Sequence, residues 1–234
     1  MKKLLRFTAY LSLLLFASGC KKDAEKDATL SYSLSAINMS ASLSATTSAS
    51  GLPVTAGTNG SINWTSASFN ISNASFSANR AGTAITLESK NINLVNALKP
   101  DSLSGKINIT AGVYEAIKLK LLMTESPTLA PFILNGTYTE LSGTKIPVIV
   151  QINRSQLAEF EIQRFEVATS GQYVAKVVFE MNGLVKGLTA GDFGQTVRTG
   201  SNNTILVSST INKPLWDKLV SRLSTSASVS FTKL

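Results

Sequence analysis

Few side chains in this chain could take part in chemistry. Its 234 residues include no His and a single Cys, Cys20. Without His, a Ser-His-Asp or Cys-His nucleophile is impossible and the usual Cys/His zinc sites are excluded. A single Cys also excludes an intramolecular disulfide bond. The groups left to consider are the Cys20 thiol and the carboxylates.

The densest acidic cluster is formed by Glu159, Glu161 and Glu166. General acid–base catalysis needs carboxylates that converge on one point and have tuned pKa values. Glu159 and Glu161 alternate with Phe160 and Ile162, so the pattern predicts that both carboxylates point to solvent from one strand. No Asp-x-Asp run suited to calcium is present. We predict no catalytic residue, no metal and no cofactor.

Two further stretches match catalytic motifs only in part. Ser142-Gly143-Thr144-Lys145 has the Ser-x-x-Lys spacing of penicillin-recognising enzymes, but those enzymes place the serine at a helix start. Here the stretch lies between two predicted strands, which favours a turn. Asp192-Phe193-Gly194 matches a kinase tripeptide without the accompanying Gly-rich and catalytic loops. Neither stretch predicts an enzyme.

The first residues have the pattern of an export signal. Lys2, Lys3 and Arg6 precede an almost wholly apolar run, residues 7–16. A run of that length is too short to cross a bilayer core of about 30 Å and is typical of a signal peptide. We predict a signal peptide over residues 1–19.

Small residues come directly before the only cysteine, in Ala17-Ser18-Gly19-Cys20. This stretch resembles the lipobox of bacterial lipoproteins, with Ala17 where Leu is usual. The resemblance implies cleavage between Gly19 and Cys20, diacylglycerol on the Cys20 thiol and acylation of the new amino group by a chain such as palmitate. Several acyl chains anchor a protein stably, whereas one chain binds only marginally. The alternative is an ordinary secretory signal that ends near a Cys.

A mixed-charge segment, Lys21 to Asp27, follows the cysteine and predicts a solvated tether over residues 20–29. It is similar to the short charged stretches that direct some Gram-negative lipoproteins to the outer face of the outer membrane. We therefore expect the cell surface, with the periplasmic face as the alternative. Removal of the signal peptide lowers the net charge from +8 to +5. That charge is spread along the chain, so no nucleic-acid partner is predicted.

Residues 30–234 predict an all-β domain, an antiparallel sandwich with one short C-terminal amphipathic helix. Leu30, Tyr32 and Leu34 alternate with serines, as in a half-buried strand, and similar stretches recur between turn signals. The apolar phase shifts between Ala36 and Met39, which predicts a bend there.

Further phase changes predict separate strands at Ile62–Trp64, Ala67–Ile71 and Ala74–Ala78. The clearest strand has inward apolar residues from Val113 to Met123. Asn135-Gly136 predicts a two-residue hairpin turn, because these residues tolerate the positive φ of a type I′ turn.

A helix is predicted near the C-terminus. Asn212 can cap it and Pro214 suits its first turn. Its apolar face consists of Leu215, Trp216, Leu219, Val220 and Leu223. We predict that it packs on the sandwich, the alternative being a membrane-surface helix, and that a last strand follows at Ala227–Phe231.

Residues Ile85–Val95 and Ile109–Leu121 resemble a signature of secreted bacterial lipoproteins that carry an uncharacterised domain. In that family a strand ending in an aliphatic dipeptide precedes a small-residue-Gly-x-Tyr turn and an Ile-x-Leu-x-Leu strand. The resemblance covers about residues 60–185. It implies a prealbumin-like or carboxypeptidase-regulatory-like sandwich, similar to immunoglobulin domains, with no assigned activity.

Two weaker signals concern modification and binding. Asp101-Ser102-Leu103 fits an acceptor at which some Gram-negative groups O-glycosylate exported proteins, with Ser102 as the modified residue; a polar turn is the alternative. The glycine-containing stretch 186–203 carries Phe193 and Arg198. Long loops at the end of a sandwich are common binding sites, so these two side chains could contact a glycan or a protein ligand, unless the loop is only a connection.

The sequence thus predicts a membrane-anchored, non-catalytic binding or structural module, held by the acyl chains on Cys20. A surface-assembly subunit is an alternative, because the uncharged strands between Leu30 and Ala45 could be donated to a neighbouring subunit. An enzyme of unrecognised type is the third possibility.

Overall fold

The computed structural model describes residues 27–44, 60–90, 94–98 and 101–234, and for residues 101–105 it describes the backbone alone. The predicted signal peptide, its cleavage site at Gly19 and Cys20, and residues 20–26 of the predicted tether lie outside the described residues. The predicted loop over residues 46–60 lies outside them too, except for Gly60.

The described chain contains fifteen strands and three helices. The strands are β1 (Ala28–Ile37), β2 (Ser40–Leu43), β3 (Gly60–Arg80), β4 (Thr83–Lys90), β5 (Leu94–Asn96), β6 (Asp101–Ile109), β7 (Gly112–Met123), β8 (Phe132–Thr139), β9 (Lys145–Ile152), β10 (Gln156–Ile162), β11 (Phe165–Val167), β12 (Gln172–Glu180), β13 (Arg198–Thr199), β14 (Thr204–Val207) and β15 (Ala227–Lys233). The helices are α1 (Met181–Leu184), α2 (Ala190–Gly194) and α3 (Lys213–Leu223).

The strands form two sheets in a sandwich-like arrangement, which confirms the predicted all-β class. The small sheet has the order β15-β12-β1-β6, and the large sheet has the path β10-β7-β3-β8-β9-β14-β13. β2, β4 and β5 pair with β3, and β11 pairs with β7. Most pairs are antiparallel, as expected, but β1 runs parallel to β12 and β14 runs parallel to β9.

The three strands predicted between residues 62 and 78 are one continuous strand of 21 residues, β3. Its pairing register shifts between Trp64 and Ser66 and between Ile71 and Asn73. A bulge inserts one residue and so reverses which side chains face the core. The phase changes therefore mark bulges within one strand, and the prediction of separate strands is wrong.

The strand predicted at Val113–Met123 also contains an irregularity, and the side chains at its start do not face as predicted. Ala116 has a φ of 48°, which shifts the phase at the start of β7. The inward residue there is consequently Tyr114, while Glu115 is exposed and Val113 is only half-buried. Beyond Ala116, the inward apolar residues are buried as predicted.

The hairpin predicted at Asn135-Gly136 is wrong, because both residues lie in the middle of β8. β8 is paired on both sides, with β3 and with β9. Gly136 is required by close packing rather than by a turn. A Cβ atom at this position would lie 2.7 Å from the Asn63 carbonyl oxygen and 2.8 Å from the Trp64 ring.

β1 lies inside the small sheet, between β12 and β6. Its inward side chains Ala28, Leu30, Tyr32 and Leu34 are fully buried. After β1 the chain bends at Asn38, whose φ is 54°, and enters β2 on the large sheet. The predicted bend is confirmed, and the first strand is an integral part of the sandwich.

The two ends of the sandwich differ. β1 begins beside Gln172, and this end, which we call the tether end, also carries Gly171 and the C-terminal Leu234. β1 ends at Ile37 beside Glu180, directly before α1. We call this second end the helical end, because all three helices lie there. α1 contacts α3, and the backbone of Ala190 in α2 is hydrogen-bonded to the end of the β2 segment.

The C-terminal helix is confirmed at Lys213–Leu223, with Leu215, Trp216, Leu219 and Leu223 buried and Pro in its first turn. Asn212 precedes it as predicted, but its side chain bonds elsewhere instead of capping the helix. Within the described residues, no helix combines the length and apolarity needed to cross a membrane. The predicted last strand is β15.

The hydroxyl group of Tyr32 is buried without a hydrogen-bond partner among the described residues, and burial raises its pKa. A buried polar group without a partner costs about 1–3 kcal/mol. Replacement by Phe removes only this oxygen, so Tyr32→Phe is expected to raise the free energy of unfolding by about 1 kcal/mol in a urea titration. Tyr114→Phe is the control, because the Tyr114 hydroxyl donates to the Thr110 carbonyl oxygen at 2.6 Å and its loss should destabilise. Equal destabilisation by both changes would contradict the expectation.

Candidate functional site

The helical end is built by the segment that follows β12. Gly60 packs directly against α2, since a Cβ atom there would lie 3.1 Å from the Cβ of Ala190. The Tyr138 hydroxyl donates to the Ala190 carbonyl oxygen at 3.0 Å. These contacts tie α2 to the ends of β3 and β8. The region predicted as a long glycine loop is therefore an ordered part of the fold.

Phe193, expected to contact a ligand, is fully buried in α2. Its ring stacks on Tyr138, with 5.1 Å between the ring centroids. The Phe193 ring lies in the core because α2 directs this side chain inward. The expectation that Phe193 lies exposed in a binding loop is thus corrected.

Arg198, the second predicted ligand contact, lies in β13 and is paired with Glu140. Its Nη2 donates to Glu140 Oε1 at 3.2 Å, and one fifth of the Arg198 side chain is exposed. The other terminal nitrogen, Nη1, is buried and has no partner among the described residues. Arg198 therefore ties β13 to the end of β8, and only a small part of it faces solvent.

Ser102 lies on β6, where its backbone is opposite Ser33 on β1. The structure therefore has a strand at this position, where a polar turn was the alternative prediction. The side chain of Ser102 is outside the described part of the structure, so its O-glycosylation stays a prediction. The lipidation of Cys20 also stays a prediction, for the same reason.

A charged pair that the sequence did not suggest joins α2 to α3. Asp192 Oδ1 accepts a bond from Lys218 at 2.5 Å, and Asp192 Oδ2 accepts one from the Thr189 backbone at 2.8 Å. Thr189 in turn caps α2, which completes a reciprocal capping box. The signal in the sequence is the Thr-x-x-Asp spacing before Phe193, a known helix-start pattern with Asp in place of Glu.

Burial by itself would raise the pKa of Asp192, but hydrogen bonds from Lys218 and Thr189 outweigh it and lower the pKa below its usual value of 3.8. A lowered pKa in the folded state stabilises the fold above pH 3.8, and this stabilisation is lost as the pH falls through the folded pKa. Asp192→Asn is therefore expected to cost about 1 kcal/mol at pH 7, the usual contribution of a hydrogen bond. In urea titrations the difference from wild type should shrink below pH 3.8. A difference that stays constant down to pH 2.5 would contradict this account.

Three cavities open at the helical end. One, of about 220 Å³, lies between α2 and α3 and is lined by Asp192, Gln195, Asn212 and Lys218 among others. A groove of about 570 Å³ lies between β2 and the α1 segment. A third, of about 340 Å³, lies beside Tyr138 and Glu140. Their walls offer hydroxyl, amide and charged groups, which could hold a polar ligand by hydrogen bonds.

The groove beside β2 is the largest of the three. Ser40 and Ser42 contribute exposed hydroxyl groups from β2, and Asn182 and Lys186 contribute an amide and an ammonium group from the opposite wall. In the described chain β2 pairs with β3 alone. The groove therefore combines side-chain donors and acceptors with an edge strand.

Two residues of the acidic cluster point to solvent, as their alternation with apolar residues predicts. Glu159 and Glu161 are exposed on β10, opposite Lys120 and Lys118 of β7. Glu159 contacts Lys118 at 2.9 Å and Lys120 at 3.0 Å. Hydrogen bonds from Lys118 and then Lys120 lower the pKa of Glu159. These ion pairs form a ladder on an outer sheet surface, and Glu166 lies apart from it on β11.

The Ser-x-x-Lys stretch lies in the turn between β8 and β9, as predicted. The Ser142 hydroxyl is 3.0 Å from that of Thr144, and Lys145 is exposed at the start of β9. Across the side chains of residues 27–44, 60–90, 94–98 and 106–234, no group of three His, Cys, Asp or Glu could hold a metal ion.

Comparison of the chain with protein-family models, with curated proteins and with solved structures finds no match. The resemblances to the lipobox and to the prealbumin-like lipoprotein family therefore rest on the sequence motifs themselves.

Proposed function

We propose that this protein is a lipid-anchored, non-catalytic binding module of the outer membrane, displayed on the cell surface, that holds its helical end away from the lipid. The observation that carries the proposal is the position of β1. Ala28 is only eight positions after Cys20, so the intervening seven residues span at most about 25 Å. The anchor therefore attaches at the tether end of the sandwich.

The direction of β1 then orients the domain. Its ten residues run from the tether end to the helical end, a distance of about 33 Å at 3.3 Å per residue. The three cavities lie at or near the far end, where a ligand outside the membrane could reach them. Ordered polar groups such as Asn182 and Lys186 would hold that ligand.

A non-catalytic role agrees with the state of the charged groups at this end. Asp192 is bound by Lys218, and Glu140 is bound by Arg198. Asp217 is likewise paired with Lys213 at 2.7 Å. These three carboxylates are thus engaged in ion pairs with neighbouring cations at the helical end.

Fractionation of cells that produce wild type and Cys20→Ala tests the anchor. We expect wild type in the outer membrane fraction and the variant in the soluble fraction. Protease added to intact cells should remove the wild-type domain if it is displayed on the surface. Protection from protease would place it on the periplasmic face, and an unchanged location of Cys20→Ala would overturn the anchor itself.

The orientation has its own test, because Cys20 is the only cysteine and its thiol would be blocked by the lipid. Thr83→Cys places a dye at the start of β4, near the tether end, and Ser201→Cys places one in the exposed turn before β14 at the helical end. Energy transfer to a labelled lipid headgroup should be strong from position 83 and weak from position 201. Equal transfer from both would contradict the proposed orientation.

A further inference from the structure

The small sheet ends in a strand that is paired on one side only. Among the described residues, β15 (Ala227–Lys233) pairs with β12 and with no other strand. It is the terminal strand in the order β15-β12-β1-β6, and β10 of the large sheet approaches it without pairing. We call the side of β15 that points away from β12 the open edge.

The register with β12 shows which main-chain groups lie on the open edge. The Leu234 N–H donates to the Gln172 carbonyl oxygen at 2.9 Å, and the Glu180 N–H donates to the Ser226 carbonyl oxygen at 2.7 Å. In an antiparallel pair, a residue exchanges both of its bonds with the residue opposite, and such pairs occur at every second position. The even-numbered residues from 226 to 234 therefore bond to β12. The N–H and C=O groups of the odd-numbered residues point to the open edge, namely those of Ala227, Val229, Phe231 and Lys233.

The open edge lacks the features that normally protect the end of a sheet. Natural edge strands are short, bulged or charged, because an unpaired edge otherwise pairs with another chain. At the other ends of the two described sheets, β13 has two residues, β10 carries Glu159 and Glu161, and β6 carries Lys106 and shifts its register against β1. β15 has seven residues in regular register, and only Lys233, the last of them, is charged. Such an edge is suited to binding a further strand.

The side chains of β15 indicate the chemistry of that further strand. Val229 and Phe231 face inward but are only half-buried, and the Phe231 ring centroid lies 5.0 Å from that of Phe165. Ser228 and Ser230 are exposed on the opposite surface of the sheet. Successive side chains of a strand beside β15 would lie next to these two sets in turn. An apolar residue at every second position would therefore cover the half-buried pair.

We propose that the open edge binds an extended peptide segment of another protein, with an apolar residue at every second position, as a fifth strand of the small sheet. Main-chain hydrogen bonds to the four open residues supply the affinity, and the alternating side chains supply the specificity. The open edge extends along β12 from the helical end to the tether end, so it is a second site beside the cavities at the helical end.

A second copy of this chain fits the open edge less well than a peptide does. Seven residues give an edge about 24 Å long for a strand about 5 Å wide, far less than the about 800 Å² per partner of a stable dimer. Two β15 strands related by a two-fold axis would pair antiparallel, with the tether end of one copy beside the helical end of the other. The seven residues after Cys20 reach about 25 Å, less than the roughly 33 Å length of β1. In the proposed orientation, only one of the two anchors would then reach the membrane.

Hydrogen exchange of the soluble Cys20→Ala form with a synthetic peptide tests the inference. The probe is Glu-Thr-Val-Ser-Val-Ser-Val-Thr-Glu, and its matched control has the same composition with the three valines adjacent. In the free protein, we expect the amides of Val229 and Phe231 to exchange faster than those of Ser228 and Ser230. The probe should slow exchange at Val229 and Phe231 at least about tenfold, and the control should not. Failure of the probe to bind, or binding that leaves these two amides unchanged, would overturn the inference.

Two proline substitutions separate binding from folding. Proline has no N–H, so Val229→Pro removes a donor from the open edge, whereas Ser230→Pro removes one that bonds to β12. We expect Val229→Pro to unfold within about 2 °C of wild type and Ser230→Pro to unfold at least about 5 °C lower. Val229→Pro should weaken probe binding about tenfold.

Val229→Lys provides a second variant, because a charge that points inward from an edge strand hinders the addition of another strand. A folded Val229→Pro or Val229→Lys protein that binds the probe like wild type would overturn the inference. Sedimentation of the same proteins tests the second copy. A wild-type dimer that Val229→Pro dissociates would also overturn the inference, because the open edge would then bind its own copy. All of these measurements use soluble protein, so their failure is distinguishable from failure of the anchor.

Discussion

Phe69→Ala is expected to lower the free energy of unfolding by about 3–5 kcal/mol, the usual cost of truncating a fully buried Phe. Phe69 is 0 % exposed on β3. Its ring centroid lies 4.4 Å from that of Phe132 on β8 and 4.6 Å from that of Phe179 on β12. The ring therefore joins the large sheet to the small sheet, and its removal leaves a cavity between them.

Chemical denaturation of the soluble Cys20→Ala form measures this loss. Phe69→Leu keeps most of the volume and should cost less, about 1.5 kcal/mol, so it reports stability even if the Ala variant does not fold. Phe165→Ala is a further control, because Phe165 is only half-buried on β11 and contacts Tyr173 and Phe231 near the tether end. A cost below about 1 kcal/mol for Phe69→Ala would mean that the sheets do not meet through this residue.

Gly136→Ala is the second substitution with a large expected effect, a loss of about 3 kcal/mol. The added Cβ atom would meet the Asn63 carbonyl oxygen at 2.7 Å and the Trp64 ring at 2.8 Å. Both contacts belong to the neighbouring strand β3, and β8 is held between β3 and β9. The backbone cannot move away without breaking the pairing on one side, so the clash becomes strain.

Gly194→Ala is the matched control for Gly136→Ala. Gly194 ends α2, and a Cβ atom there meets nothing within 4 Å. Its replacement should change stability by no more than about 0.5–1 kcal/mol, with a gain favoured because Ala suits a helix better than Gly. Equal losses at positions 136 and 194 would show that the loss reflects glycine replacement in general and not close packing in β8.

Most of the strands were predicted from the sequence, because apolar residues at every second position all reach the core only when the segment is an extended strand. β1 and β7 were found in this way, and the C-terminal helix was found from apolar residues three or four positions apart. The same rule failed inside β3, where the phase reverses near Trp64 and Ile71. A reversal of phase is equally compatible with a turn and with a bulge, and only pairing with β7 and β8 decides between them.

The candidate site was less predictable than the fold. Phe193 and Arg198 were singled out for their chemistry within a glycine-containing stretch, but their contacts depend on distant residues. Tyr138 and Glu140, about 55 positions earlier in the chain, bury the ring and pair the guanidinium group. The cavities at the helical end arise likewise from elements that are distant in sequence, such as β2 and α1.

By itself, the sequence determined the class of the fold and predicted the anchor, because strand alternation and the residues before Cys20 are local patterns. The tertiary structure decided the rest. Whether Asn135-Gly136 turns or continues as a strand depends on β3 and β9, which offer hydrogen bonds to β8 along its whole length. Parallel pairing with β12 fixed the direction of β1, and with it the end of the sandwich at which that strand begins. Such pairings are long-range, and no local pattern contains them.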